Sequence, residues 1–275
     1  MRRLTVMFPE IVRFGPIAIY SYGFMMMLAF FLGIMLAVKR ARRVGIQAGI
    51  IWDLSLWILF SSLIGSRGLY VLTHLDEFRG HWLDTINPVQ ANGRLGIAGM
   101  VLLGGVVLAT IISIIFIRRR KLNLWRMADV IAPSLALGIA LGRIGCFANG
   151  CCYGHATKSW LGVIFPPGSP AGWEFPGTPV LPTQLFESTW SFLLLAVLLF
   201  AERWKKFDGF TFASFLIGYA VFRIWVDTVR VYEPGEILFH LATGRITISQ
   251  AISVGMIGFG GWLLVVQKSK LRKKL

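Results

Sequence analysis

Seven predominantly apolar stretches constrain this chain more than any other feature: Ile17 to Val38, Ile51 to Leu72, Leu95 to Ile117, Val130 to Phe147, Leu185 to Phe200, Phe210 to Val226 and Ile246 to Val266. About 20 apolar residues span the hydrocarbon core of a bilayer. A segment in lipid must also satisfy its own backbone hydrogen bonds, which restricts such stretches to helices. The expectation is an all-α integral membrane protein with seven transmembrane helices, the fifth being the shortest. Composition agrees, since 56% of the 275 residues are hydrophobic and only 15% are charged, against about 25% charged in soluble domains. Met1 to Pro9 do not read as a cleavable signal, because no small-residue cleavage site follows the first apolar run.

The net charge of +15 would suit a nucleic-acid partner, but its distribution argues against one. More than half of the 28 basic residues fall in four clusters: Lys39 to Arg43, Arg118 to Arg126, Arg203 to Lys206 and Lys268 to Lys274. These occupy alternate connections, which the positive-inside rule assigns to the cytoplasm. The N-terminus is then outside and the C-terminus inside, with Arg2 and Arg3 the minor exception. A basic cytoplasmic face attracts anionic lipid. The outward loops, 73–94, 149–184 and 227–245, are of mixed sign, and the second, rich in Gly and Pro, suits a small extracytoplasmic head. No internal repeat is visible, so residues 1–275 read as one polytopic domain.

Ionisable groups inside membrane segments are costly and mark functional sites by default. With this topology Arg67, Arg143, Tyr219, Arg223, Asp227, Arg230, Tyr20, Tyr22, Gln184 and Glu187 all fall at one depth, just below the outer surface. Asp53 and Asp129 sit at cytoplasmic helix starts, where acids complement the helix dipole. On a continuous helix Tyr219, Arg223, Asp227 and Arg230 share one face, so an ion-pair ladder with Asp227 between the two arginines is the plain structural reading. Arg67, Arg143 and Arg223 nonetheless outnumber their acids. A guanidinium fork suits phosphate, and a phospholipid headgroup is the anion at that depth.

Gly104 and Gly105, and Gly65 and Gly68, have the spacing of close helix packing, with backbone exposure to a headgroup as the alternative. His74, His81, His155 and His240 lie in outer loops without zinc-like spacing. No Ser-His-Asp order or phosphate-binding glycine loop is present. Cys146, Cys151 and Cys152 read as packing thiols. Disulfide pairing, metal ligation and a nucleophilic role remain as alternatives. The expectation is no metal and no cofactor.

Several separated motifs resemble the bacterial prolipoprotein diacylglyceryl transferases. Gly142-Arg143-Ile144-Gly145-Cys146-Phe147-Ala148-Asn149-Gly150 through Gly154 is similar to that family's G-R-x-G-N-F-x-N-x-x-x-x-G signature. Tyr22-Gly23, Gly65-Ser66-Arg67, Pro182 to Glu187 ("PTQLFE") and Gly218 to Arg230 ("GYAVFRIWVDTVR") also fit. Leu103 stands where the family's H-G-G-L-I-G motif begins with histidine, and Cys146 where the signature has asparagine. The resemblance implies a bacterial inner-membrane enzyme with its site near the outer leaflet. It would transfer diacylglyceryl from phosphatidylglycerol to the lipobox cysteine of a prolipoprotein signal peptide, giving a thioether and glycerol phosphate. It implies Arg143 and Arg223 as catalytic phosphate ligands. Tyr22, Asn149, Gly154, Tyr219, Arg67, Gly104 and Gly105 would bind lipid, and Asp227, Arg230, Glu187 and Gln184 would support them. A different headgroup transferase, or a lipid-binding or transport protein, is the alternative.

Overall fold

A computed structural model describes residues 10–14, 17–80, 85, 99–232, 236–241 and 244–272. Most of loop 73–94, including His81, lies outside the described residues. Seven helices are long and apolar enough to cross a membrane: α1 (Ser21–Arg43), α2 (Ala48–Thr73), α4 (Leu102–Arg119), α5 (Leu124–Asn149), α7 (Thr183–Ala201), α8 (Phe210–Val229) and α9 (Ile248–Arg272). The protein is thus a multi-pass, all-α membrane protein. Two helices of five residues or fewer, α3 (Leu75–Phe78) and α6 (Pro170–Glu174), lie between them, with strands β1 (Glu10–Phe14), β2 (Ile17–Tyr20), β3 (Ile237–Leu241) and β4 (Gly244–Thr247).

The apolar runs overstate three helices: α4 begins only at Leu102, and two other runs open as strands. Ile17–Tyr20 pairs with Glu10–Phe14 as an antiparallel hairpin, and Gly244–Thr247 pairs with Ile237–Leu241 in the same way. Short apolar runs with β-branched residues satisfy strand and helix patterns alike, and here pairing with a neighbouring strand decided the outcome.

Close contacts divide the chain into two compact units, residues 38–127 and residues 1–37 with 128–275. The smaller unit rests on the α2–α4 contact. A Cβ on Gly65 would lie 2.4 Å from the Gly104 carbonyl oxygen, and one on Gly104 would lie 2.3 Å from that of Gly65. The two backbones touch directly, as small residues permit when lipid supplies no hydrophobic drive. A Cβ on Gly105 would meet Ser66 Oγ at 2.3 Å, so the pair Gly104-Gly105 serves packing.

In the larger unit α5, α7 and α8 meet around Ala132, Ala136, Leu194, Leu198, Phe215 and Leu216. The alanines allow close approach, and side chains then tie the helices to one another. Ser188 Oγ donates to the Ala140 carbonyl at 2.8 Å and Trp190 Nε1 to the Gly218 carbonyl at 3.0 Å. Asp129 does more than complement its own helix start. It is 1% exposed and accepts from the backbone N–H groups of Gly209 at 2.7 Å and Phe212 at 2.9 Å, capping α8, while Lys205 pairs with it at 2.8 Å. Residues 150–182 fold over a small core of Phe165, Ala171 and Val180.

The α2–α4 contact predicts that Gly65→Val costs about 1–3 kcal/mol of stability, the usual penalty of overpacking. Thermal unfolding in detergent should show a lowered midpoint. An unchanged midpoint would contradict direct backbone contact.

Candidate functional site: a buried arginine–carboxylate cluster beside three thiols

Three helices each deliver one charged side chain to a common point. Arg143 lies near the end of α5, Glu187 one turn into α7 and Arg223 in the C-terminal half of α8. Arg143 Nη2 sits 2.9 Å from Glu187 Oε1, and Arg223 Nη1 lies 3.2 Å from Glu187 Oε2. Glu187 is 2% exposed, so this carboxylate is enclosed by the two guanidiniums it serves. Arg223 Nη1 reaches both carboxylate oxygens, at 3.3 Å and 3.2 Å, so Oε1 is shared and one acid holds both arginines.

Arg223 is held on its other side by Asp227, as the helical spacing predicts, and by three further groups that no periodicity announces. Its Nε pairs with Asp227 Oδ1 at 3.2 Å, one turn along α8, and donates to Ser249 Oγ at 2.7 Å. Its Nη2 donates to the Tyr232 hydroxyl at 2.8 Å, and that hydroxyl donates in turn to Asp227 Oδ1. Thr247 Oγ1 donates to Asp227 Oδ2 at 2.8 Å. Burial pushes the Tyr232 phenol above its usual range, which keeps it a donor to the carboxylate. Tyr232, Thr247 and Ser249 come from the segment after α8, the end of β4 and the start of α9. Sequence reasoning missed all three, because nothing in local spacing links them to α8.

Arg230 departs from the expected ladder. Helix α8 stops at Val229, and Arg230 has extended backbone (φ −91°, ψ 145°) and bridges to Gly154. Its guanidinium lies 4.9 Å from the centre of the Tyr232 ring, and its buried Nε has no hydrogen-bond partner among the described residues. The carboxylate assigned to it, Asp227, is instead occupied by Tyr232, Thr247 and Arg223. Arg245 donates to the Arg230 carbonyl at 2.9 Å, so among the described residues Arg143, Arg223, Arg230 and Arg245 gather around Glu187 and Asp227.

The remaining expected residues divide. A Cβ on Gly145 would lie 3.5 Å from Tyr22 Cα, so this glycine lets α1 bring Tyr22 against α5, within electrostatic reach of Arg143. Tyr219 stacks on Phe215 and is within reach of Arg143, Glu187 and Arg223. Asn149 closes α5, next to the loop in which the Cys151 thiol donates to the Cys146 carbonyl at 3.7 Å. Gly154 is a packing glycine, since a Cβ there would meet the Val229 carbonyl oxygen at 2.7 Å. Gln184 supports the loop after α5, donating to the Cys151 carbonyl at 2.6 Å. Arg67, Gly104 and Gly105 belong to the other unit. There Arg67 donates to the carbonyls of Thr85 at 2.8 Å and Gly99 at 3.1 Å. His155, with its ring 3.1 Å from Arg245, is held below the usual imidazole range by burial and by that cation.

Fold and site together are those of a multi-pass membrane protein with an arginine–carboxylate cluster buried between its helices. The family model for prolipoprotein diacylglyceryl transferase matches residues 9–266, and the chain belongs to that family. It is 31% identical over 256 residues to phosphatidylglycerol–prolipoprotein diacylglyceryl transferase 2 of Clostridium perfringens, covering 93% of this chain and 94% of the relative. It is 32% identical over 268 residues to the phosphatidylglycerol–prolipoprotein diacylglyceryl transferase of Acaryochloris marina, covering 95% and 92% of the two chains. The Shouchella clausii enzyme of the same name is 32% identical over 222 residues, with 80% and 78% covered.

Removing Glu187 would leave two buried guanidiniums without their shared acceptor. Glu187→Ala is expected to destabilise by about 3–5 kcal/mol, as for other broken buried pairs. Thermal unfolding followed by tryptophan fluorescence reads this directly. A change within about 0.5 kcal/mol, typical of an innocuous surface substitution, would mean that Glu187 does not hold the arginines.

Proposed function

We propose that this protein transfers the diacylglyceryl group of phosphatidylglycerol to the thiol of a prolipoprotein's lipobox cysteine, forming a thioether and releasing glycerol phosphate. The observation that carries this reading is the pairing of Arg143 and Arg223 on the single carboxylate Glu187. With Arg230 beside them, the cluster has more cation than acid, and the balance is met by a phosphate. Two planar forks held by one buried acid are preorganised for phosphate oxygens. They also favour the charge that grows on the leaving glycerol phosphate. Tyr22, Tyr219 and Asn149 line the approach to the headgroup. Asp227, with Tyr232 and Thr247, holds Arg223 in place.

The nucleophile in this reaction belongs to the acceptor. A thiol is a few per cent ionised near neutral pH and is intrinsically nucleophilic, so the enzyme's main task is to bind, align and stabilise. The positive-inside distribution orients the chain with its N-terminus outside. The arginine cluster and residues 149–184 then face the outer leaflet of the bacterial cytoplasmic membrane, where an exported prolipoprotein signal peptide meets phosphatidylglycerol.

Arg143→Ala and Arg223→Ala should each lower transfer by about 100-fold or more, the loss typical of a removed charge-stabilising donor. The assay follows labelled lipid from phosphatidylglycerol nanodiscs to a lipobox peptide. Retained activity in both variants would refute the phosphate role. Rescue of a strain depleted of its own diacylglyceryl transferase is expected. Failure by a well-expressed, inserted protein would point to another headgroup transferase or to lipid binding without chemistry.

A further inference from the structure

Cys146, Cys151 and Cys152 converge: their sulfur atoms all lie within 4.8 Å of one another. The spacing in sequence does not require this. Cys146 sits in the last turn of α5, whereas Cys151 and Cys152 are consecutive residues of the following loop. Consecutive side chains on extended backbone point to opposite faces. Here Cys152 adopts the left-handed conformation (φ 64°), uncommon for a residue with a Cβ, and Gly150 is left-handed as well (φ 72°). These turns bring the second and third sulfurs to the first.

The loop is held in this form from α7. Thr183 Oγ1 donates to the Cys152 carbonyl at 2.7 Å and Gln184 Nε2 to the Cys151 carbonyl at 2.6 Å. Gln184 is 1% exposed, and its buried Oε1 has no hydrogen-bond partner among the described residues, leaving an acceptor beside the loop.

We propose that these three cysteines form a metal site for zinc or a similarly thiophilic divalent ion, with the fourth coordination position taken by the acceptor thiol. Zinc–sulfur bonds of about 2.3 Å in tetrahedral geometry place sulfurs about 3.8 Å apart, so small side-chain rotations suffice to close the site. A disulfide would require two sulfurs to approach to about 2.05 Å and would leave the third unused. Zinc sites with three protein ligands keep a fourth position for substrate, and a thiol bound to such an ion is deprotonated.

The inference rests on the proposed transfer reaction and adds the means of activating its nucleophile. Acceptor R–SH loses its proton to water on coordination. The thiolate sulfur's electron pair forms the S–C bond to the glyceryl carbon. The C–O bond to phosphate breaks, and its pair leaves on glycerol phosphate, held by Arg143 and Arg223. No oxidant or reductant is needed. His155, the histidine next to this loop in sequence, is engaged with Arg245, so the thiolate cluster is the group placed to lower the acceptor's proton affinity.

The test uses the full chain in phosphatidylglycerol nanodiscs, reduced and metal-free, titrated with Zn2+ and, for spectroscopy, with Co2+. One Zn2+ per chain should survive dialysis, and Co2+ should show sulfur-to-metal charge-transfer absorption. Cys151→Ser and Cys152→Ser should each weaken binding more than about tenfold, since even an outer partner of a metal ligand typically contributes that much. Helical circular dichroism verifies that both variants are folded, and Cys146→Ser provides a third arm if either is not. A lipobox peptide should perturb the Co2+ spectrum, and its Cys→Ser counterpart should not. Absence of thiolate absorption, binding unaffected by all three substitutions, or two thiols recovered as a disulfide would overturn the site. If the metal binds but transfer is unchanged by complete chelation, the activating role fails while the transferase reading stands. If the wild type transfers nothing, the transferase reading fails, and the peptide's effect on the Co2+ spectrum still decides the metal site.

Discussion

A single buried carboxylate, Glu187, organises the larger unit. A charge within a bilayer is tolerated when it faces the protein interior and finds an opposite charge, and Glu187 meets both Arg143 and Arg223 within 3.2 Å. The three residues come from α5, α7 and α8, so the ion pairs determine which faces of these helices must meet. The packing follows from that demand. Alanines at 132 and 136 let α7 and α8 approach α5, and the Ser188 and Trp190 hydrogen bonds to backbone carbonyls fix the depth at which they do so. Without Glu187 the arginines would repel each other at low dielectric, and the helix ends would have no reason to converge.

Arg223 shows how such a site is made rigid. Its guanidinium is shared among Glu187, Asp227, Ser249 and Tyr232, drawn from α7, α8, the start of α9 and the segment following α8. Asp227 is itself saturated by Tyr232 and Thr247. A fully satisfied polar network in low dielectric holds its members firmly, which is the condition for preorganised phosphate recognition. Arg143, held by Glu187 on one side and near Tyr22 and the thiols on the other, is the more open of the two arginines. In the proposed reaction it is the first contact for a headgroup.

Much of this was legible in the sequence, because membrane insertion writes a strong signal. Apolar runs reveal helices, and position along each helix brings Arg143, Glu187, Arg223 and Asp227 to one level, where the structure joins them. What stayed hidden depended on contacts without a period. Tyr232, Thr247 and Ser249 reach Arg223 only because the chain leaves α8 and returns through a hairpin to α9. Arg230 was misread for the same reason, since the helical projection continued past the true end at Val229. Asp129 looked like an acid at its own helix start, yet it caps α8, a partner 80 residues away in sequence. The cysteine cluster escaped because left-handed turns at Gly150 and Cys152 are invisible to residue spacing.

The central claim is that the Glu187-linked arginines hold the phosphate of phosphatidylglycerol. Native mass spectrometry of the intact protein, released from mixed-lipid nanodiscs, tests it without requiring turnover. The wild type should retain one phosphatidylglycerol in preference to phosphatidylethanolamine, and Arg143→Ala should lose that preference while remaining folded. Equal retention of the two lipids by the wild type, or an undiminished preference in Arg143→Ala, would contradict the account.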